Sequence, residues 1–159
     1  MEINTTVFGS LEISEDKIII FPDGLPGFEY LKRFFIVILD QTKPFMWLQA
    51  IDEDVSIPVI SPFDIYKDYS PTVDDGIFNE LELEKEEDLL VLVVAVIPPE
   101  VNLMTANLAA PVLINIAANT GRQVIAEGDE YLVRQPIFNA VCCFMHEEDS
   151  DASTDQAQR

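Results

Sequence analysis

Apolar residues along this chain gather into short runs set apart by proline, glycine and acidic clusters. The longest unbroken run is Leu89-Leu90-Val91-Leu92-Val93-Val94-Ala95-Val96-Ile97, and Pro98-Pro99 stops it because neither proline can donate to a ladder. Period alone does not separate a buried strand from a buried helix, but the Val and Ile content favours a strand. The apolar pattern resumes as Leu103–Leu108 and again as Pro111–Ile116, and a turn at Asn119-Thr120-Gly121 leads into Gln123-Val124-Ile125. These segments predict three or four consecutive strands at the centre of an antiparallel β domain. The run from Leu89 is too short to cross a bilayer, which takes about 20 apolar residues as helix.

Upstream, residues 2–13 read as a β-hairpin with Gly9-Ser10 as its turn. Ile18–Phe21 is a short strand that ends in Pro22-Asp23-Gly24-Leu25-Pro26-Gly27, two proline-glycine turns that make a stiff loop. Arg33–Leu39 and Phe45–Ala50 are strands. Val55–Ile60 is another, which Pro58 demotes to an edge or a bulge. Ser61–Tyr69 reads as a packed irregular loop. Between Asp74 and Asp88 the spacing of Ile77, Phe78 and Leu81 predicts a short surface helix, N-capped by Asp74 or Asp75 and followed by an acidic turn. Tyr131–Val133 is one more short strand, and Arg134–Phe138 closes the fold. From Glu147 onward nothing large and apolar remains. The expected architecture is mostly β: a small antiparallel β-barrel-like or sandwich domain over 1–140 with one short surface helix. An acidic, disordered C-terminal tail is expected over 141–159.

Charge changes this picture more than composition does. Nine Lys and Arg stand against 29 Asp and Glu, a formal net charge of −20. Such a surface repels phosphate backbones and anionic lipid heads, and steers basic protein partners toward it. Direct binding of nucleic acid or membrane is therefore not expected. Met1-Glu2-Ile3-Asn4 lacks the basic start and apolar core of a secretory signal, and Cys142 and Cys143 are adjacent, poorly placed to staple distant segments. A reducing, cytoplasmic setting follows.

Catalytic patterning is sparse. His146 is the only histidine and borders the acidic end, which leaves neither a nucleophile-base pair nor a rigid metal-ligand set around it. Asp52-Glu53-Asp54 and Asp74-Asp75 lack the spacing of a calcium loop, and no phosphate-binding glycine loop occurs. No cofactor is expected, and the chain reads as a binding protein rather than an enzyme. Two rivals follow from the acidity: a mimic of nucleic acid that occupies the RNA site of a basic protein, and a carboxylate-based hydrolase.

Several segments resemble the flagellar assembly factor FliW family: Phe21–Glu29, Phe45-Met46-Trp47-Leu48-Gln49, Ser61-Pro62-Phe63, Met104–Pro111, Asn119–Val124 and Arg134-Gln135-Pro136-Ile137. They run in family order over residues 2 to 138. The resemblance implies a small, mostly antiparallel β-barrel-like fold and a non-enzymatic, cytoplasmic partner-switching protein. It implies binding of flagellin before export, in the manner of a chaperone. It also implies, after release, binding of the RNA-binding translational repressor CsrA, which frees the flagellin transcript. Partner contacts are expected at Met104, Thr105 and Asn107 in the central motif and at Phe138 beside the closing one, with core packing as the alternative for Met104 and Leu108. Asp23 to Gly27 is expected to be structural. Gln135 stands where many relatives carry histidine, and Cys142, Cys143 and the acidic end lie outside the common pattern.

Overall fold

A computed structural model describes residues 1–146. Glu2–Thr5 (β1) and Gly9–Glu12 (β2) form the N-terminal hairpin, with Thr5 opposite Gly9. The turn is therefore Thr6-Val7-Phe8 rather than Gly9-Ser10. Gly9 opens the return strand at φ 72°, and Thr5 Oγ1 accepts from the Phe8 N–H at 2.9 Å. Ile19–Ile20 (β3), Arg33–Ile38 (β4), Phe45–Ala50 (β5) and Ser56–Ile60 (β6) follow in antiparallel succession. Pro62–Ile65 (α1) is a single helical turn inside the segment expected to be a loop, with Pro62 at a position where its missing N–H costs nothing. Gly76–Glu80 (α2) lies where the surface helix was expected. Asp75 makes no side-chain cap; Asp74 Oδ1 instead accepts from the Gly76 N–H at 3.0 Å.

Leu89–Val96 (β7) is the long central strand. Thr105–Ala106 (β8), Val112–Asn115 (β9), Thr120–Gln123 (β10) and Gln135–Pro136 (β11) complete the sheet. β7 pairs with β9 as well as β6, and β10 pairs with β3 in parallel, so β3, β4, β5, β6, β7, β9 and β10 close into a seven-strand barrel. β8 and β11 extend from β7 outside the ring. The fold is thus mostly β, as the apolar pattern implied, and barrel-like, as the resemblance implied. Tyr131–Val133 is not a strand; its one ladder-like bond is Leu108 N–H to the Leu132 carbonyl at 3.0 Å, and the pairing falls to β11 instead. Residues 138–146 form a helix (α3), and Val141 within it is buried. The boundary expected at 140/141 therefore falls inside a helix that belongs to the folded body. The rest of the expected tail, 147–159, lies outside the described residues.

The unbroken apolar run of β7 is explained by burial on both faces. Leu92 packs inside the barrel with Phe21, Phe34, Leu48, Val59 and Ile114. Its neighbour Val93 packs on the other side with Ile60, Tyr69, Met104, Leu108, Ile137 and Val141. Side chains alternate across a strand, so a strand covered on both sides needs no polar positions. Phe21 and Phe34 meet edge to face inside the barrel, their centroids 5.4 Å apart.

Pro58 does not place β6 at an edge, since β6 lies between β5 and β7. The reason is register. Ala50 N–H donates to Val55 at 2.8 Å, and Trp47 is paired with Pro58, so the alternation of an antiparallel ladder turns the Pro58 nitrogen away from β5 and toward β7. The β6–β7 ladder consists of Ile60–Val93 and Val59–Val94 and stops where Pro58 would have to donate. The barrel wall parts beyond that point, and the gap it leaves matters for the site.

Candidate functional site

Four sets of residues converge on the opening beside Pro58. The first is the proline-glycine loop. Gly24 sits at φ +64°, and a Cβ there would stand 2.6 Å from the Glu29 Cα, so only glycine fits. Gly24 N–H donates to Phe21 at 2.9 Å and Phe28 N–H to Leu25 at 2.7 Å. Glu29 accepts from Gly27 N–H at 3.1 Å; backbone hydrogen bonds from its own amide and from Gly27 hold its carboxyl below the usual range. Arg122 Nη1 reaches Asp23 from β10. These contacts tie the loop to its own backbone and to β10.

The second set is the parted wall of Ile57, Val94 and Val96. The third is Thr105 to Ala110. Asn107 N–H donates to the Val94 carbonyl at 2.9 Å, and its Oδ1 accepts from Ala109 N–H at 3.1 Å. Gln123 Nε2 donates to the Ala110 carbonyl at 3.0 Å. The fourth comprises Ile125, Val133 and Arg134.

Together they line a groove of about 600 Å³. Its walls are largely apolar, with Thr105, Asn107, Gln123 and Arg134 as the polar groups. Ile125 is 83% exposed, Val133 62% and Val96 61%, a large apolar display for a surface so rich in charge. Among the described residues no aspartate or glutamate lines it, although the chain has 29 acidic residues. Depletion of charge around an apolar centre is the compositional mark of a protein-binding patch.

The structure brings Thr105 and Asn107 together in this groove. Met104 is not on the surface: it is 6% exposed and packs with Tyr69, Leu108 and Ile137, so its part is to support the groove wall from below. Phe138, at the start of α3, is half-buried against that same core and outside the groove. Leu25, Pro26, Phe28, Ile125, Val133 and Arg134 were not anticipated. Ile125 and Val133 lie at the ends of the short runs Gln123-Val124-Ile125 and Tyr131-Leu132-Val133, and on sequence alone look like strand ends.

The opposite character appears between α2 and β7. Phe78, Leu83, Glu82, Glu84 and Asp88 line a shallow recess of about 530 Å³ with Asn115 at its base. Asn115 is buried and holds the arch by donating to the Leu81 and Glu82 carbonyls at 2.9 and 3.2 Å, while accepting from Ala117 and Ala118. Among the described residues no group of three or more His, Cys, Asp or Glu could hold a metal ion, and no helix is long and apolar enough to cross a membrane.

Residues 2–137 match the FliW protein family model. The chain is 43% identical over 139 residues to the flagellar assembly factor FliW of Thermoanaerobacter pseudethanolicus, covering 86% of this chain and 93% of that one. It is 42% identical over 137 residues to the flagellar assembly factor FliW of Caldicellulosiruptor saccharolyticus, covering 86% and 90%. A crystal structure of the flagellar assembly factor FliW superposes with a TM-score of 0.80 at 31% identity, covering 87% of this chain and 97% of the other. Four of the six segments that resemble the family supply residues to the groove: Phe21–Glu29, Met104–Pro111, Asn119–Val124 and Arg134–Ile137. With the closed barrel, the proline-glycine loop and the groove they build, the chain belongs to the FliW family of flagellar assembly factors.

Proposed function

We propose that this protein works in the cytoplasm by binding, not by catalysis: it holds flagellin before export and, when released, binds CsrA and relieves its repression of the flagellin transcript. The observation that carries this reading is the acid-free apolar groove on a body of net charge −20. A soluble protein keeps such a patch open when another protein covers it part of the time. An unassembled filament subunit, with apolar surface made for its neighbours, is a fitting occupant.

The exterior suits the other partner. A repressor that binds RNA needs a basic surface, and so acidic a protein is drawn to it and repels RNA approaching alongside. Exchange between the two partners follows mass action: the one in excess of its Kd holds the protein. No cofactor enters this scheme.

Titration of the purified protein with flagellin and with CsrA tests the reading. Saturable complexes with both are expected, and the on-rate for CsrA should fall steeply as salt is raised from low ionic strength through the physiological range. Absence of binding to either partner would falsify it.

A further inference from the structure

We infer that the groove beside Pro58 receives an apolar segment of the partner that carries an acidic side chain, and that Arg134 at the groove's lip is the residue that pairs with it. The inference rests on the proposed flagellin-holding role and specifies the chemistry of the segment held.

Charge is the argument. Arg33 pairs with Asp52, Lys43 with Asp40, and Arg122 with Asp23 and Glu80. Lys17 and Lys32 lie within electrostatic reach of Asp16 and Glu29. Arg134 is exposed and, like Lys67 and Lys85, has no ion pair among the described residues, and of the three it alone lines the groove. It stands in a groove that no acid lines among the described residues, so none there competes with a partner's carboxylate for it. A guanidinium offers paired N–H donors that match a carboxylate, and partial burial under an apolar segment strengthens that pair.

We take the carboxylate to be a side chain, and extension of the flagellin C-terminus tests a terminal one. Terminal carboxylates are caught by successive free backbone N–H groups. Along the proline-glycine loop and the central strip, Pro26 has none, Phe28 N–H is taken by Leu25, Asn107 N–H by Val94, and Ala109 N–H by Asn107. Arg134 is left as the charged donor. The anchoring side chains of the segment would lie over Val96, Ile125 and Val133, with Phe28 and Pro26 as the facing wall.

The test uses the full chain and flagellin from the same bacterium as the probe, with Kd measured by calorimetry. Ile125→Asp, which puts a charge in the apolar groove, is expected to weaken binding by about 30-fold. Arg134→Gln is expected to weaken it by about 10-fold, with Arg134→Lys retaining part of the affinity. Ile38→Asp, at an exposed β4 position outside the groove, should leave Kd unchanged. All three side chains are exposed, so unchanged thermal melting is expected to show that the variants fold. Flagellin extended by a few residues at its C-terminus should bind as before. Equal affinity of wild type, Ile125→Asp and Arg134→Gln would overturn this inference and leave the flagellin reading standing. So would loss of binding on extending the C-terminus, which would make the terminal carboxylate the ligand. A wild-type chain that fails to bind flagellin at all overturns both.

Discussion

Tyr69 donates its phenolic hydrogen to the Leu108 carbonyl across 2.6 Å, from a side chain that is itself buried. That one bond fastens the segment after α1 to the strip Thr105–Ala110, which forms a wall of the groove. The Tyr69 ring also meets Tyr131 edge to face at 4.6 Å, so three separate parts of the chain are joined at this point. Replacing Tyr69 by Phe keeps the ring and strands the carbonyl, at an expected cost of about 1–3 kcal/mol in denaturant unfolding. Burial, with a smaller contribution from Tyr131, pushes the Tyr69 hydroxyl up from its ordinary value of 10.0. The folded state therefore holds the phenol neutral while the unfolded chain ionises above about pH 10. The stabilisation is complete below that pH and is lost as pH rises through the higher folded-state value. Stability of the wild type should accordingly fall more steeply above pH 10 than that of Tyr69→Phe, which pH-dependent melting curves would show.

Gly24 makes a different kind of demand. A side chain there is strained by the left-handed φ of +64° and would sit 2.6 to 2.7 Å from backbone atoms of Phe28 and Glu29, which cannot swing away. Gly24→Ala should cost about 2–4 kcal/mol and move Leu25, Pro26 and Phe28 out of the groove wall. Flagellin affinity should drop together with the melting temperature. Gly27→Ala is the informative comparison: its φ is +86° but its Cβ would meet nothing within 4 Å, so the loss should be smaller.

Asn115 holds the acidic arch to the barrel with both ends of its amide. Asn115→Ala removes donors to Leu81 and Glu82 and an acceptor for Ala117 and Ala118 together. A loss of about 2–4 kcal/mol is expected, with faster amide exchange across 81–84 as the local readout. Asn115→Asp separates hydrogen bonding from charge: it keeps the acceptors and sets a buried carboxylate against two carbonyl oxygens. It should be at least as damaging as Ala.

The sequence carried the strands wherever local composition decided them. Phe45–Ala50 coincides with β5 and the apolar run from Leu89 with β7, because the aromatic residues of the first and the β-branched residues of the second favour a strand. Pro58 was legible as an interruption but not as an opening, since its effect depends on which neighbour its nitrogen faces, and that is a property of register. The groove was half legible for the same reason. Thr105 and Asn107 stood out within their own motif, whereas Ile125, Val133 and Arg134 acquire meaning only when the barrel brings them beside the loop at Leu25 to Phe28. α3 was missed because residues after 138 mix polar and apolar positions, and Val141 alone is buried deeply enough to mark an inner face.

Met104 is where sequence and structure part most instructively. Beside Thr105 and Asn107 it looks like an anchor for a partner, yet at 6% exposure it is already anchored to Tyr69, Leu108 and Ile137. Its neighbours face the groove and it faces the core, as alternation along an extended segment requires. Met104→Asp should therefore lower stability by about 3–5 kcal/mol, a large share of the total for a domain of this size, and lose partner binding through unfolding. Met104→Leu, close in volume and apolar, should cost under about 1.5 kcal/mol and leave Kd for flagellin unchanged. If Met104→Asp instead kept the wild-type melting temperature while flagellin binding fell, the residue would have to swing out to meet the partner. Thermal melts and calorimetry on the two variants together decide between a supporting side chain and a contacting one.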